Sequence, residues 1–224
     1  MNIELILCGV FWIITYILII AKSFKDKTYG IPFFAISLNL AWEFTFCFIY
    51  PPENFLIARI IFLIWLILDL VILCIFFKYG YKEFKCKNLI SKKFFYTFSI
   101  ISIIFSTTFM ILSVNDFASL YQNSIEQASG FIAILSNLLM SILFVSMLLH
   151  RGNTKGQSIL IGIFKWVGTL TIAILKFSKA LPSTTTELFI IALIQIFDIL
   201  YIYLMYKTLK NPCKTIKILD YTEH

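Results

Sequence analysis

Asn39 and Glu43 stand four residues apart in Ile31–Tyr50, a segment that is otherwise almost wholly apolar and ends at Pro51-Pro52. On a helix that spacing puts the amide and the carboxyl on one face. Asp69, Lys165 and Asp198 lie similarly deep in apolar surroundings. A charged carboxylate at the centre of a helix in hydrocarbon costs on the order of a few kcal/mol, so such a residue marks a functional site by default. A buried carboxylic acid with no cation beside it keeps its proton, the state a general acid requires. No lysine shares the depth of Glu43, which makes it the candidate acid. Lys165 lies level with Asp69 and Asp198, roughly 10–12 Å from the same helix ends at about 1.5 Å per residue, and either can pair with it. For Asp69 the expectation is an ion pair with Lys165 that fixes helix packing. Glu43 and Asp198 differ by only about 6 Å in depth and can face one cavity if their helices are neighbours.

The elements that must position these groups follow from hydropathy. Of 224 residues, 60% are hydrophobic and 14% charged, against about a quarter charged in a soluble domain; mean hydropathy is +0.90. Seven apolar runs, about residues 3–21, 31–50, 55–77, 94–114, 129–149, 158–178 and 186–206, approach or exceed the length that spans a bilayer. In lipid each must be helical, because its backbone groups have no other partners. The expected fold is all-α, a seven-helix bundle forming a single transmembrane domain over residues 1–224. Short loops make consecutive helices antiparallel neighbours.

Fifteen of the 19 Lys and Arg residues fall in the first, third and fifth loops and the tail. The positive-inside rule then places the N-terminus outside and the C-terminus in the cytosol. The net charge of +7 therefore reads as topology, with no nucleic-acid partner. Localisation is integral and multi-pass, in the plasma membrane of a bacterium or the endoplasmic reticulum of a eukaryote. The first run has no basic stretch before it and reads as a retained structural span. The five cysteines have no metal-ligand spacing and no expected disulfide framework, and no metal or other cofactor is expected.

Polar residues keep to stripes, expected to turn away from lipid and to converge on one partly polar interior. Ser99, Ser102, Ser106 and Ser113 form a small-residue face suited to close helix contact. Ser136, Asn137 and Ser141 suit packing or a cavity edge. Lys165, Thr169 and Lys176 share one face, as largely do Glu187, Gln195, Asp198 and Tyr201. With 24 Phe, 11 Tyr and 4 Trp, the walls of any cavity are aromatic.

Asn39-x-Ala41-Trp42-Glu43 followed by Tyr50-Pro51, then Trp65-x3-Asp69, Lys78-Tyr79-Gly80 and Asp198-x2-Tyr201 resembles the small seven-helix membrane-bound terpene cyclases of fungal meroterpenoid and indole-diterpene pathways and their bacterial relatives. The resemblance covers most of the chain, and its Trp-Glu cluster with the proline exit is the most specific part. It implies protonation of a terminal epoxide or alkene on a lipophilic polyprenyl substrate drawn from membrane lipid, and then a carbocation ring closure. It implies Glu43 and Asp198 as the acidic residues needed for activity. Asn39, Trp42, Trp65, Asp69, Trp166 and Tyr201 are the candidate substrate contacts, the aromatic ones as cation-stabilising faces.

The alternative is a small transporter or sensor that uses Glu43, Asp69, Lys165 and Asp198 as a proton or ion relay. The absence of an internal repeat and of Gly/Pro-broken mid-helix segments weighs against it. A retinal protein needs a mid-membrane lysine on its last helix, and no lysine lies between Glu187 and Lys207. A purely structural subunit leaves the deep carboxylates unexplained.

Overall fold

The computed structural model describes residues 3–52, 56–83 and 90–211. Among these all regular structure is helical: α1 (Ile3–Asp26), α2 (Phe33–Phe44), α3 (Leu56–Tyr79), α4 (Lys92–Ser119), α5 (Ile125–Arg151), α6 (Ile159–Phe177) and α7 (Thr185–Lys210). A π-helical turn, Thr45–Ile49, prolongs α2, and a 3-10 turn, Gly80–Glu83, closes α3. Each helix coincides with one apolar run, ends shifted by a few residues. Ser91, Ser124, Ser158 and Thr184 start four of them, each accepting a hydrogen bond from a first-turn amide that would otherwise lack a partner. Phe55, Lys85, Cys86, Lys87, Cys213, Lys214 and Lys217 lie outside the described residues.

Six helices are long and apolar enough to cross a membrane; Phe33–Ile49 is shorter, roughly 25 Å at the α-helical rise. It is also the inner helix, packed on α3, α4 and α5. Around it, α1 sits between α3 and α6, and α7 between α5 and α6. The outer faces are apolar, with Ile67 on α3, Phe105 on α4 and Ile196 on α7 exposed, whereas Glu43, Asp69, Lys165 and Asp198 are buried. A surface of large apolar side chains over buried charged groups suits lipid. The serine face of α4 meets expectation: Ser99, Ser106 and Ser113 are buried where the helix packs on α2 and α5.

The expectation that all consecutive helices are neighbours holds at one end only. The pairs α2/α3, α4/α5 and α6/α7 pack together, whereas α1/α2, α3/α4 and α5/α6 are not principal partners. Nor does α2 pack on α7. Even the six residues between α1 and α2 reach roughly 20 Å when extended, about twice the 8–10 Å between adjacent helix axes. The loops thus permit a crossing, and side-chain packing selects it.

The basic end is tied by its loops. Arg151 donates to the Tyr29 carbonyl (2.9 Å) and the Lys155 carbonyl (3.0 Å) and lies 4.2 Å from the Tyr29 ring centroid. The Gly156 amide donates to Asp26 (2.8 Å), and the Thr28 hydroxyl to Glu83 (2.8 Å). The α1–α2 and α5–α6 loops touch backbone to backbone, and a Cβ on Gly30 would sit 2.5 Å from the Gly156 carbonyl oxygen. Gly30→Ala should therefore destabilise the protein by about 1–3 kcal/mol, read as a lower thermal midpoint in detergent. Gly152→Ala, with the same small increment but open space at its Cβ and φ of 60°, should lose only the cost of its left-handed backbone, about 1 kcal/mol.

Candidate active site

A cavity of about 1150 Å³ enters the bundle from the end opposite the basic loops. Its mouth is formed by Pro51 and Pro52, by Asn123 and Gln127 at the α4–α5 turn, and by Leu181 and Pro182 before α7. Deeper in, Trp12, Tyr16, Trp42, Phe46, Phe62 and Trp65 line one wall together with Asn39 and Glu43; Ser136, Asn137 and Thr169 line the other. The aromatic wall is anchored. Trp42 Nε1 donates to the Ser129 carbonyl (3.0 Å) and Trp65 Nε1 to the Gly9 carbonyl (3.3 Å), so each indole is held by a neighbouring helix. The Trp42 ring lies 4.7 Å from Phe62, 5.1 Å from Phe46 and 6.4 Å from Trp65 between centroids. Two residues beyond Glu43 the helix widens into its π turn, with the Tyr50 amide bonded to the Thr45 carbonyl (2.9 Å). Arg59 donates to the Cys47 carbonyl in that turn (3.1 Å). Such turns recur at functional sites.

Glu43 is 2% exposed. Its Oε1 accepts from the Tyr16 hydroxyl (3.4 Å), whose oxygen accepts from Asn39 Nδ2 (2.8 Å). Glu43 Oε2 has no partner among the described residues. Asp69 is fully enclosed, close enough to Glu43 for the two carboxyls to act on each other. It lies beside Asn39 and Tyr16, yet neither of its oxygens accepts a well-formed hydrogen bond.

The expected Asp69–Lys165 ion pair is not formed. Lys165 Nζ lies 2.6 Å from Asp198 Oδ1 and 2.7 Å from Ser141 Oγ, and Asp69 keeps company with Glu43. The physical reason is the packing order: α6 and α7 are in contact and α5 lies on α7, while α3 and α6 flank α1 from two sides. The polar stripes therefore converge on two places. Trp12 stands between them, its ring 5.8 Å from the Tyr16 ring and 5.7 Å from Lys165 Nζ. Glu43 lines the cavity; Asp198 is turned to Lys165 and does not. Of the candidate contacts, Asn39, Trp42 and Trp65 line the cavity, and Asp69, Trp166 and Tyr201 are not part of its lining. Tyr201 is buried edge-on against Phe144 (5.4 Å).

Sequence reasoning passed over Trp12 and Tyr16, which make α1 part of the site rather than a structural span. A tyrosine at membrane depth carries little cost, so nothing in its position marks it. Their i, i+4 spacing, which puts both on one helix face, was the available signal. Lys176, recognised only as part of a stripe, is bound at the mouth to the Pro182 carbonyl (2.6 Å) and Glu187 (3.2 Å). Glu187 also completes a capping box with Thr184.

Fold and site together define a helical membrane protein that holds an acid on the wall of an aromatic cavity. Residues 1–211 match the Pyr4-like transmembrane terpene cyclases, and the chain belongs to that family. Among curated relatives it is 25% identical over 223 residues to the Pyr4-family terpene cyclase mfmH of Annulohypoxylon moriforme, covering 95% of this chain and 88% of that one. It is 29% identical over 168 residues to the terpene cyclase penB of Penicillium crustosum (75% and 66% covered). To the terpene cyclase pyr4 of Aspergillus fumigatus it is 27% identical over 161 residues (72% and 64%). The matches thus span about two thirds of the length of the last two. No solved structure matches the chain.

The two carboxyl environments respond differently to neutralisation. Asp198→Asn leaves Lys165 buried and unpaired and should destabilise the protein by about 3–5 kcal/mol; adding Lys165→Met should recover part of that loss. Asp69→Asn, with no cation to abandon, should change stability by less than about 1 kcal/mol. Thermal midpoints of the wild type, the three single variants (Lys165→Met among them) and the 165/198 double variant check this. Additive losses at 165 and 198 would show that the pair does not act as a unit.

Proposed function

We propose that the chain is a membrane-embedded terpene cyclase, spanning the bilayer seven times with its basic end in the cytosol. Glu43 protonates the terminal epoxide or alkene of a polyprenyl substrate, and the cavity guides the carbocation through ring closure. The observation that carries this reading is Glu43 itself: a buried acid on the wall of an aromatic cavity, with no cationic partner among the described residues.

The chemistry follows in order. The polyprenyl chain enters from the bilayer with its terminal unit directed to Glu43. The acid proton goes to the epoxide oxygen, the C–O bond opens toward the more substituted carbon, and the chain's double bonds attack in turn. A final proton loss ends the cascade, so the product is an isomer of the substrate. Trp12, Trp42, Phe46, Phe62 and Trp65 offer ring faces, each worth roughly 0.5–2 kcal/mol to a nearby cation, and no nucleophile to trap it. Asn39, Trp42 and Trp65 contact substrate. Asp69, Trp166 and Tyr201 support the wall from behind, and Asp198 serves activity by holding Lys165 and with it the α5–α6–α7 side of the cavity. A transporter needs a path opening at both ends, whereas the basic end is bound together by Arg151, Tyr29, Asp26 and Gly156.

The test is product analysis in reconstituted membranes, with farnesylated phenols carrying a terminal epoxide. Glu43→Gln and Asp198→Asn should each abolish formation of a cyclised isomer, and Glu43→Gln should leave the protein folded. Near wild-type turnover in Glu43→Gln would place the acid elsewhere. Gly130 supplies a steric test: it lines the cavity, and a Cβ there meets nothing within 4 Å. Gly130→Phe should intrude on the substrate volume and lower turnover of the full-length chain roughly tenfold or more, with no loss of thermal stability, since glycine is a poor helix former.

A further inference from the structure

Tyr16 stands among an amide and two carboxyls, and its one formed donation goes to Glu43. Asn39 Nδ2 donates to the Tyr16 oxygen at 2.8 Å, which leaves the single phenolic hydrogen for Glu43 Oε1 at 3.4 Å. A phenol has one donor hydrogen, and a neutral carboxyl has one oxygen that carries hydrogen and one that accepts. The carbonyl oxygen is the stronger acceptor of the two, which makes Oε1 the carbonyl and puts the acid hydrogen on Oε2, itself buried and engaged by no described residue. The competing acceptor is Asp69, beside Asn39 and Tyr16, whose oxygens accept no well-formed hydrogen bond.

We infer that Tyr16, oriented by Asn39, is a positioning residue that selects Oε2 as the proton-donating oxygen of Glu43. It then stabilises the carboxylate as the proton leaves. This deepens the cyclase reading and rests on Glu43 being the acid. When the Oε2–H bond breaks, its hydrogen passes to the substrate oxygen or carbon and its electron pair stays on the carboxylate. The Tyr16 O–H keeps its own hydrogen and now meets a charged acceptor. The bond is long while Glu43 is neutral and shortens as charge develops, so it is stronger in the transition state than in the ground state and acts on kcat rather than KM. Trp12, its ring tilted against that of Tyr16 at 5.8 Å, keeps the phenol ring in place whether or not the hydroxyl is present.

Tyr16→Phe removes the hydroxyl and keeps the ring. On a farnesylated phenol epoxide it should lower kcat about 10- to 100-fold with KM within about twofold and the thermal midpoint unchanged. Infrared spectroscopy of the reconstituted protein gives a readout independent of turnover. The carbonyl stretch of protonated Glu43, identified as the band lost in Glu43→Gln, should move to higher frequency in Tyr16→Phe, because the carbonyl loses its donor. Asn39→Ala, a second route if Tyr16→Phe folds poorly, should move the same band by freeing the hydroxyl to turn away. An unmoved band, no band sensitive to Glu43→Gln, or an unchanged kcat each overturns the assignment. If the band moves in Tyr16→Phe as described but the wild type cyclises no epoxide, the substrate reading fails and the hydrogen bond from Tyr16 to Glu43 stands.

Discussion

Both ammonium groups buried among the described residues are already committed. Lys165 is bound to Asp198 and Ser141, and Lys176 to Glu187 and the Pro182 carbonyl. In a low-dielectric interior an ion pair is tolerable only when such partners are in place, so neither cation is free to serve Glu43 or Asp69. Those two carboxyls are left with an amide, a phenol and each other. The polar groups thus divide between two places, Glu43 and Asp69 with Asn39 and Tyr16 on the α1–α2–α3 side and Lys165 with Asp198 and Ser141 on the α5–α6–α7 side.

Trp12 is the partition that keeps the two apart. It faces the cavity and has Lys165 over its ring, so the cation is close to the cavity but screened from it by an indole. The rest of the wall repeats the pattern, with Trp42 and Trp65 tied by their N–H groups to carbonyls of α5 and α1. Each anchored ring presents a π face to the interior without offering a lone pair to a reactive cation. Surfaces of that kind, negative in quadrupole and poor in nucleophiles, suit the cation-stabilising role proposed for them.

The inner helix carries the acid. With α3, α4 and α5 packed around it, α2 is shielded from lipid over much of its length, and its prolines end it at the cavity mouth rather than at the bundle surface. The π turn at Thr45–Ile49 departs from the regular ladder just after Glu43, and Arg59 occupies a carbonyl there. The proline stop and the π turn both give up regular helix beside the cavity, where polar backbone can be satisfied by protein instead of lipid.

Hydropathy alone located the seven helices, because in lipid each span must close its hydrogen bonds within itself and so is a local property of the chain. Glu43 was legible for a related reason: a carboxyl in an apolar run is costly enough to announce itself. The partner of Lys165 was not legible. Asp69 and Asp198 share its depth, and only the order of helices around the bundle, set by side-chain packing between residues far apart in sequence, decides for Asp198. That order also undid the expectation that helices joined by short loops always pack together. Tyr16 and Trp12 passed unmarked because aromatic residues are inexpensive at that depth. Their roles exist only when α1 is laid against α2 and α6. Sequence determined which groups must be kept from lipid, while tertiary structure decided which of them meet, since a local energy says where a group can sit and only packing says what sits beside it.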